Sequence, residues 1–305
     1  MIVLSINLFM EFSIAYDGEV RPNLSTKKMR ELLAFLLLNS ERPHRRQFLM
    51  TLLWEDSEES KAQKYLRQTL WQIQSELAPC YPDSETRPLL VNADWVQIDP
   101  EAGIWSDAVE FLRLHRRSQG IAGPLLEAEH IKELEEATAL YKGDLLEGWY
   151  QNWCLIEREY LQNIYLIMLE KLMDNCESHA NYEQGLEYGM RALKQDSARE
   201  RTYRRLMRLY TLMGDRNSAL HLYEQCVEAL RDELDVAPAQ STQSLYELIR
   251  RDDLLQEPGP ELRRARFPGK TTGKVVDHLQ LVHDNLGEIQ ALIREEIESF
   301  GRLYP

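Results

Sequence analysis

Residues 42–79 have the sequence RPHRRQFLMTLLWEDSEESKAQKYLRQTLWQIQSELAP and predict two amphipathic helices joined by a short acidic turn. The second helix carries an apolar stripe at the spacing of one helical face, namely Ala62, Leu66, Leu70, Ile73 and Leu77. Its opposite face is polar and holds Lys61, Lys64, Gln68, Trp71 and Ser75, with Arg67 and Gln72 on its flanks. Amides and guanidinium groups bond to base edges, and cations bond to phosphates. This face is therefore a candidate DNA-reading surface, and an ordinary solvated helix face is the alternative.

The length and the charge of the chain limit the classes of protein that it can be. A chain of 305 residues is long enough for two domains, each with its own core. The composition, 44% hydrophobic and 28% charged residues, is typical of globular proteins. The formal net charge of −14 argues against a protein that coats nucleic acid or membranes nonspecifically. It is compatible with a locally basic surface on an acidic carrier.

Cysteine spacing and hydropathy indicate the compartment. The four cysteines, Cys80, Cys154, Cys176 and Cys226, lie far apart and form no CxxC pair. Neither structural disulfides nor a zinc site are expected, and a reducing cytoplasm is the expected setting. The N-terminal MIVLSINLFM lacks a basic region and predicts a strand more than a signal peptide. No run of about 18 apolar residues is present, so we expect no membrane span.

The segments around residues 42–79 predict strands, three helices and a hairpin, in that order. Residues 2–16 alternate as strands do, and Asp17-Gly18 is a turn signal. Helices are predicted from Ser25 or Thr26 through MRELLAFLLLN, from Arg45–Arg46 to Trp54, and over 60–78. Residues 89–91 and 95–98 flank the polar loop Asn92-Ala93-Asp94 and predict a hairpin. This order is typical of a winged helix, whose third helix enters the major groove. Trp54 ends an apolar stripe and is predicted to lie in the core.

The rest of the chain predicts helical repeats and a tail. The pattern of residues 106–252 is almost wholly helical. Ala180-Asn181-Tyr182 corresponds to Gly214-Asp215-Arg216, 34 residues later. That period is typical of tetratricopeptide repeats, which usually bind a peptide or a protein domain. The predicted domains are a winged helix over 1–100, a tetratricopeptide-like domain over 105–252, a linker over 253–274 and a C-terminal helix over 275–301. The last helix would dock on the chain's own helical domain or form a short coiled coil.

Several segments together resemble a known family. Arg42 through Leu49, Leu53 through Asp56 and Tyr65 through Leu70 resemble the helix-turn-helix of the Streptomyces antibiotic regulatory protein family. Segments similar to the bacterial transcriptional activator domain of that family are Trp105 through Phe111, Leu140 through Leu146, Trp153 through Arg158 and Leu230 through Pro238. The resemblance covers roughly residues 2–252. It implies a mainly α protein, with an OmpR-like winged helix followed by an all-helical tetratricopeptide-like domain. It also implies a regulator, usually an activator that binds promoter repeats and recruits RNA polymerase.

The resemblance assigns roles to particular side chains. Lys61, Lys64, Arg67, Gln68 and Gln72 fall on the recognition helix and are candidate base-reading residues. Lys27, Lys28, Arg45 and Arg46 fall near helix starts that usually face phosphates, and Arg87 is the cation nearest the wing. Trp71 either contacts a sugar or a thymine methyl group, or packs under the wing hairpin.

Two features depart from the family pattern. The loop at 92–94 has no cation, so minor-groove insertion by this wing is not expected. The acidic run Glu55 through Glu59 precedes the recognition helix, where it favours the N-terminus of that helix through the dipole but repels DNA unless it points away. This run would then face polymerase.

Other classes of protein lack their motifs. Gly269-Lys270-Thr271 is not a phosphate-binding loop, because Arg264 stands at its leading glycine position and no strand precedes it. His278 and His283 are five residues apart and do not share a helix face, so no metal site is expected. We therefore predict no catalytic residues and no cofactor. The expected partners are double-stranded DNA and RNA polymerase, and homodimerisation is a separate hypothesis. The main rival is an adaptor that binds protein and not DNA.

Overall fold

A computed structural model describes residues 4–21, 25–81 and 87–252. The chain divides into two compact units, residues 1–249 and 250–305, and the elements below belong to the first unit apart from the end of the last helix. The predicted linker over 253–274 and the predicted C-terminal helix over 275–301 lie outside the described residues. The other predicted domain boundaries remain predictions.

An N-terminal sheet opens the fold. Strands β1 (Leu4–Asn7), β2 (Ser13–Tyr16), β3 (Glu19–Arg21) and β7 (Ile104–Ser106) pair in the order β3-β2-β1-β7. The predicted alternation is confirmed, because Leu4, Ile6 and Ile14 are buried. Asp17 and Gly18 both have positive φ, 50° and 80°, as a tight hairpin turn requires. The sequence interpretation missed β3, and it missed β7, which runs parallel to β1 from about a hundred residues away.

Three helices follow the sheet much as predicted. They are α1 (Lys27–Leu38), α2 (Arg46–Leu53) and α3 (Glu59–Leu77). The side chain of Thr26 caps α1 by accepting a hydrogen bond from the backbone of Met29 at 3.3 Å. Helix α1 is apolar nearly all round because α2, α3 and the strand Trp95–Ile98 pack against it within the winged helix. The helix Asp107–Arg117 packs against it from beyond.

A small sheet completes the N-terminal region. Strands β4 (His44–Arg45), β5 (Leu89–Val91) and β6 (Trp95–Ile98) pair in the order β4-β6-β5, all antiparallel. The β5–β6 hairpin has the predicted bounds. Its loop is closed by the side-chain carbonyl of Asn92, which accepts hydrogen bonds from the backbone of Asp94 and Trp95, both at 2.8 Å.

Seven α-helices form most of the rest of the described chain. They are α4 (Asp107–Arg117), α5 (Ala128–Leu140), α6 (Asn152–Ser178), α7 (Tyr182–Gln195), α8 (Glu200–Leu212), α9 (Arg216–Leu234) and α10 (Gln240–Arg251). Neighbours in sequence from α4 to α9 pack on each other. The predicted mainly α architecture is confirmed.

The 34-residue repeat has a clear structural basis. Ala180 and Gly214 hold equivalent left-handed positions after α6 and α8, with φ of 57° and 81°. The next residues, Asn181 and Asp215, each donate a backbone hydrogen bond to the carbonyl five positions earlier, at 2.9 Å. Gly185 is small because a Cβ there would lie 3.0 Å from Leu209 and 3.2 Å from Cys176. The repeat is therefore set by the turn and by close helix crossing.

Hydrogen bonds join the winged helix to the helical region, which comprises α4 to α10. Phe9 pairs with Leu145 in an isolated β-bridge. The buried carboxylate of Asp107 accepts from the backbone of Leu8 at 2.7 Å and of Phe9 at 3.1 Å. Burial raises the pKa of Asp107 although these bonds oppose the rise. The guanidinium of Arg158 donates to the carbonyls of residues 145, 146 and 149. Residues 8–10 are thus tied to the start of α4 and to the loop that precedes α6.

Two further observations bear on the sequence predictions. The prediction for Trp54 is wrong: its indole is half-buried, because Trp54 is the C-cap residue of α2 and is followed by the exposed acidic turn. Its ring contacts that of Tyr65, with centroids 6.3 Å apart. In the part of the chain that the structure describes, no helix combines the length and the apolar character that a membrane crossing demands.

Candidate nucleic-acid interface

Helix α3 is held by its apolar face and exposes its polar one. Ala62, Leu66, Leu70, Ile73 and Leu77, the predicted stripe, are all buried. The helix packs on α1 and α2, which fixes its rotation about its own axis. Its outward face follows from the 3.6-residue period and therefore presents positions 61, 64, 68, 71, 72 and 75 together.

Five of the six predicted base-reading side chains are exposed. Lys61, Lys64, Arg67, Gln68 and Trp71 are exposed, and Gln72 is half-buried. The Nζ atom of Lys61 lies 3.0 Å from a carboxylate oxygen of Glu58, another exposed residue. The side chains of Lys64, Gln68 and Gln72 make neither a hydrogen bond nor an ion pair with any of the described residues. The amides and one ammonium group are thus available to an external ligand.

Trp71 belongs to the open surface and not to the core under the wing. Its side chain is 67% exposed. The contact between α3 and the wing is made by Gln74 instead, whose amide donates to the carbonyl of Leu89 at 3.4 Å. An exposed indole of this size presents both an apolar face and a ring N–H donor to a ligand.

Arg46, the first residue of α2, places a positive charge at the tip of the wing. The backbone N–H of Arg46 donates to the carbonyl of Asp94 at 2.9 Å, and its guanidinium donates to the carbonyl of Asn92 at 3.2 Å. Burial, and then the positive charge of Arg67, lower the pKa of Arg46. Arg46 and Arg67 therefore lie close enough to repel each other, at the meeting point of α2, α3 and the wing. Sequence reasoning identified both residues but missed this proximity, because they are on different helices.

The remaining candidate phosphate-binding residues differ in whether their charged groups already have partners within the protein. Lys27 and Arg45 are exposed, at the start of α1 and on β4. Arg87 is exposed just before β5, beside residues 82–86, which lie outside the described residues. Lys28 is different, because its ammonium group lies 2.9 Å from the buried carboxylate of Glu31 and donates to the carbonyl of Leu53. The ammonium group of Lys28 is therefore already paired within the protein, although the side chain is 41% exposed.

The acidic turn between α2 and α3 is exposed at Glu55, Asp56, Glu58 and Glu59. Its backbone is closed by Ser57, whose N–H donates to the carbonyl of Trp54 at 3.0 Å. Within the described residues, no group of three or more histidine, cysteine or acidic side chains is arranged to hold a metal ion. The four cysteines are buried free thiols, and burial raises the pKa of Cys154 to about 11.

Comparisons with a family model and with solved structures both find similarity to this chain. Residues 106–250 match the family model described as bacterial transcriptional activator domain. A search of curated proteins finds no match. Among solved structures, the chain is similar to Mycobacterium tuberculosis EmbR, solved in complex with a low affinity phosphopeptide. The likeness has a TM-score of 0.61 at 20% sequence identity and covers 90% of this chain and 71% of the EmbR chain.

These findings agree with the segments recognised in the sequence. The match begins at Ser106, inside the segment that resembles the start of the activator domain, and it ends in α10. At 20% identity the structural likeness supports the fold, a small strand-containing N-terminal region followed by helices. Residues 106–250 are therefore similar to a bacterial transcriptional activator domain, and the chain as a whole shares its fold with EmbR.

Proposed function

We propose that this chain is a sequence-specific DNA-binding transcription activator whose reading element is α3. The observation that carries the proposal is the row of exposed amide, cationic and indole side chains on α3, several of which have no partner among the described residues. Such a face on a helix braced by a core is the arrangement that enters a major groove. The protein would act by binding alone, without catalysis.

The proposed roles divide between base reading and phosphate binding. Gln68 would pair with adenine and Arg67 with guanine, while Lys61, Lys64 and Gln72 extend the same surface. Trp71 would contact a thymine methyl group or a sugar. Arg46 would bind a phosphate from the wing tip, with Lys27, Arg45 and Arg87 around it, because cations near helix starts commonly take backbone contacts.

The proposed mechanism of activation is recruitment of RNA polymerase. The exposed acidic turn Glu55 through Glu59 offers a surface of opposite charge to a basic segment of the polymerase. Charge reversal at Glu55 and Asp56 tests this contact. Transcription should fall while DNA affinity stays equal or rises. Intact transcription would remove the acidic turn from the mechanism.

The setting that we propose is the bacterial cytoplasm, with the protein bound to repeated half-sites as a homodimer. The apolar stripe of the sequence tail motivates dimerisation, and sedimentation of the full chain beside a chain ending at Asp252 tests it. An unchanged assembly state in the shorter chain would remove the tail from consideration.

One observation favours an adaptor as the second candidate function. Helix α6 exposes two large apolar side chains one turn apart, Ile156 at 67% and Tyr160 at 52%, and such side chains are common in protein-binding surfaces. The helical region would then bind a protein partner, and the winged helix would not read DNA.

Selection of bound sequences from random DNA with the purified full chain, followed by a salt titration, distinguishes these functions. A DNA reader enriches a motif and loses affinity steeply with salt, with a slope of about −0.9 for each phosphate neutralised. An adaptor enriches no sequence at any salt concentration, and that result would refute the DNA-binding proposal.

A further inference from the structure

A series of contacts links the helical region to the recognition helix through side chains of α6, α1 and the end of α2. It begins at Trp153 on α6, whose indole N–H donates to Glu31 Oε1 on α1 at 3.3 Å. Glu31 is 1% exposed, and its Oε2 lies 2.9 Å from Lys28 Nζ. A buried carboxylate is costly without such partners, so the position of Glu31 depends on both of them.

The series continues from Lys28 to α3. The ammonium group donates to the carbonyl of Leu53, the last residue of α2, where helix carbonyls lack partners within the helix. The same ammonium group lies 5.8 Å from the centre of the Trp54 ring. Trp54 in turn packs against Tyr65, which is exposed on the first half of α3, three residues before Gln68.

We propose that Lys28 and Glu31 are positioning residues that hold the end of α2 and the indole of Trp54, and thereby set the orientation of α3 on DNA. Trp153 makes this orientation depend on the helical region. This inference rests on the proposed DNA-binding function. It assigns Lys28 a role different from the phosphate contact that the sequence predicts, because its ammonium group already serves three partners.

Loss of a positioning residue and loss of a phosphate contact have different signatures. A displaced α3 misplaces the base-reading side chains, so the preference for the selected sequence over scrambled DNA should fall. The salt slope should stay unchanged, because no phosphate contact is removed. Loss of a phosphate contact lowers affinity for both sequences alike and makes the slope shallower by about 0.9.

The experiment uses the full chain and measures affinity for selected and scrambled DNA over a range of salt concentrations. Lys28→Met keeps the apolar stem of the side chain, and Glu31→Gln keeps an oxygen acceptor for Trp153. Trp153→Phe removes the N–H donor and keeps an aromatic ring. Each variant should lower the preference about tenfold with the slope unchanged. Lys27→Met, at a proposed phosphate contact beside Lys28, is the matched contrast: it should keep the preference while the salt slope becomes shallower by about 0.9.

The possible outcomes distinguish a failure of the positioning role from a failure of the proposed DNA-binding function. An unchanged preference in Lys28→Met, or a shallower slope, would overturn the positioning role of Lys28. Wild-type preference in Trp153→Phe would remove the helical region from the series. If Lys28→Met fails to fold, the Lys28→Met, Glu31→Gln double variant leaves no unpaired buried charge and is measured instead. A wild-type chain without sequence preference would refute the proposed function itself.

Discussion

Helices α3 and α8 both carry rows of cationic side chains, and they use them in opposite ways. On α8, each arginine faces a carboxylate: Arg201 that of Glu170, Arg204 that of Glu200, Arg205 that of Asp174 and Arg208 that of Glu177. Three of these acids come from α6, at spacings of four and three residues that place them on one face. On α3, Lys64 and Arg67 have no acidic partner within 4 Å among the described residues.

This difference shows why a basic helix in a sequence is weak evidence for nucleic-acid binding. Helix α8 contains more arginines than α3, yet its charges are neutralised within the fold. The charges that remain for a ligand are those that tertiary packing leaves without a counter-charge. A polyanion should therefore bind to α3 in preference to α8.

The largest effect is expected from the carboxylate that neutralises α8. Glu170 is 6% exposed, and Arg199 donates to its Oε1 at 3.0 and 2.8 Å. Glu170→Gln should lower the free energy of unfolding by about 3 kcal/mol, because the partly buried guanidinium of Arg199 then keeps only Asp196, at 3.7 Å, as a counter-charge. Urea unfolding measures this. Arg208→Met, which breaks a more exposed pair, is the control and should cost about 1 kcal/mol or less. Equal losses in the two variants would contradict the contrast.

Gln68→Ala on α3 should affect recognition and not stability. We expect a loss of about 1–3 kcal/mol in binding to the selected sequence, and little change on scrambled DNA, if the amide reads adenine. Competition binding measures the difference. Gln119→Ala, at an exposed glutamine after α4, is the matched control and should bind as wild type does. A loss on both DNA sequences would mean that Gln68 does not read a base.

Arg46→Ala should weaken binding to all sequences alike. Because its guanidinium sits at the wing tip near Arg67, its loss removes one phosphate contact and makes the salt slope shallower by about 0.9. The same titration on Arg208→Met should leave the slope unchanged, since that cation belongs to α8. If Arg46→Ala and Gln68→Ala behave identically, the division between phosphate and base contacts is wrong.

The smallest effect concerns a histidine beside the packed helical region. Burial, and then the charges of Lys171 and Arg116, lower the pKa of His115 below its usual value. A histidine with a lowered pKa in the fold contributes stability that is complete above its unfolded pKa, about 6.5, and is lost as pH falls through the folded pKa. Urea unfolding at pH 7 and below should show this loss. His115→Gln should reduce the pH dependence, and an unchanged profile would contradict it.

Much of the winged helix could be predicted because its signals are local. The stripe from Ala62 to Leu77, the Thr26 cap and the Asn92-Ala93-Asp94 loop each depend on neighbours within a few residues. The 34-residue repeat was visible for the same reason, since each turn repeats the same small residues. Strand β7 was missed because its partner β1 lies about a hundred residues away and no local pattern announces the pairing.

The sequence alone identified the segments that resemble the family, but it did not explain why those segments contain these residues. Asp107 accepts hydrogen bonds from the strand end at Leu8 and Phe9, and Arg158 gathers three carbonyls of the loop before α6. These residues hold the winged helix against the helical region. Their role depends on contacts across 98 or more residues for Asp107, which sequence spacing does not reveal.

The sequence by itself determined which side of α3 faces inward, because the helical period and the apolar residues leave one solution. It also determined the order of elements and the family resemblance. Tertiary structure alone decided which cations are available: Lys28 is paired with the buried carboxylate of Glu31, Arg46 is held at the wing tip, and α8 is neutralised largely by α6. The physical reason is that a charge is available to a ligand only where the fold brings no counter-charge, and distant segments supply the counter-charges.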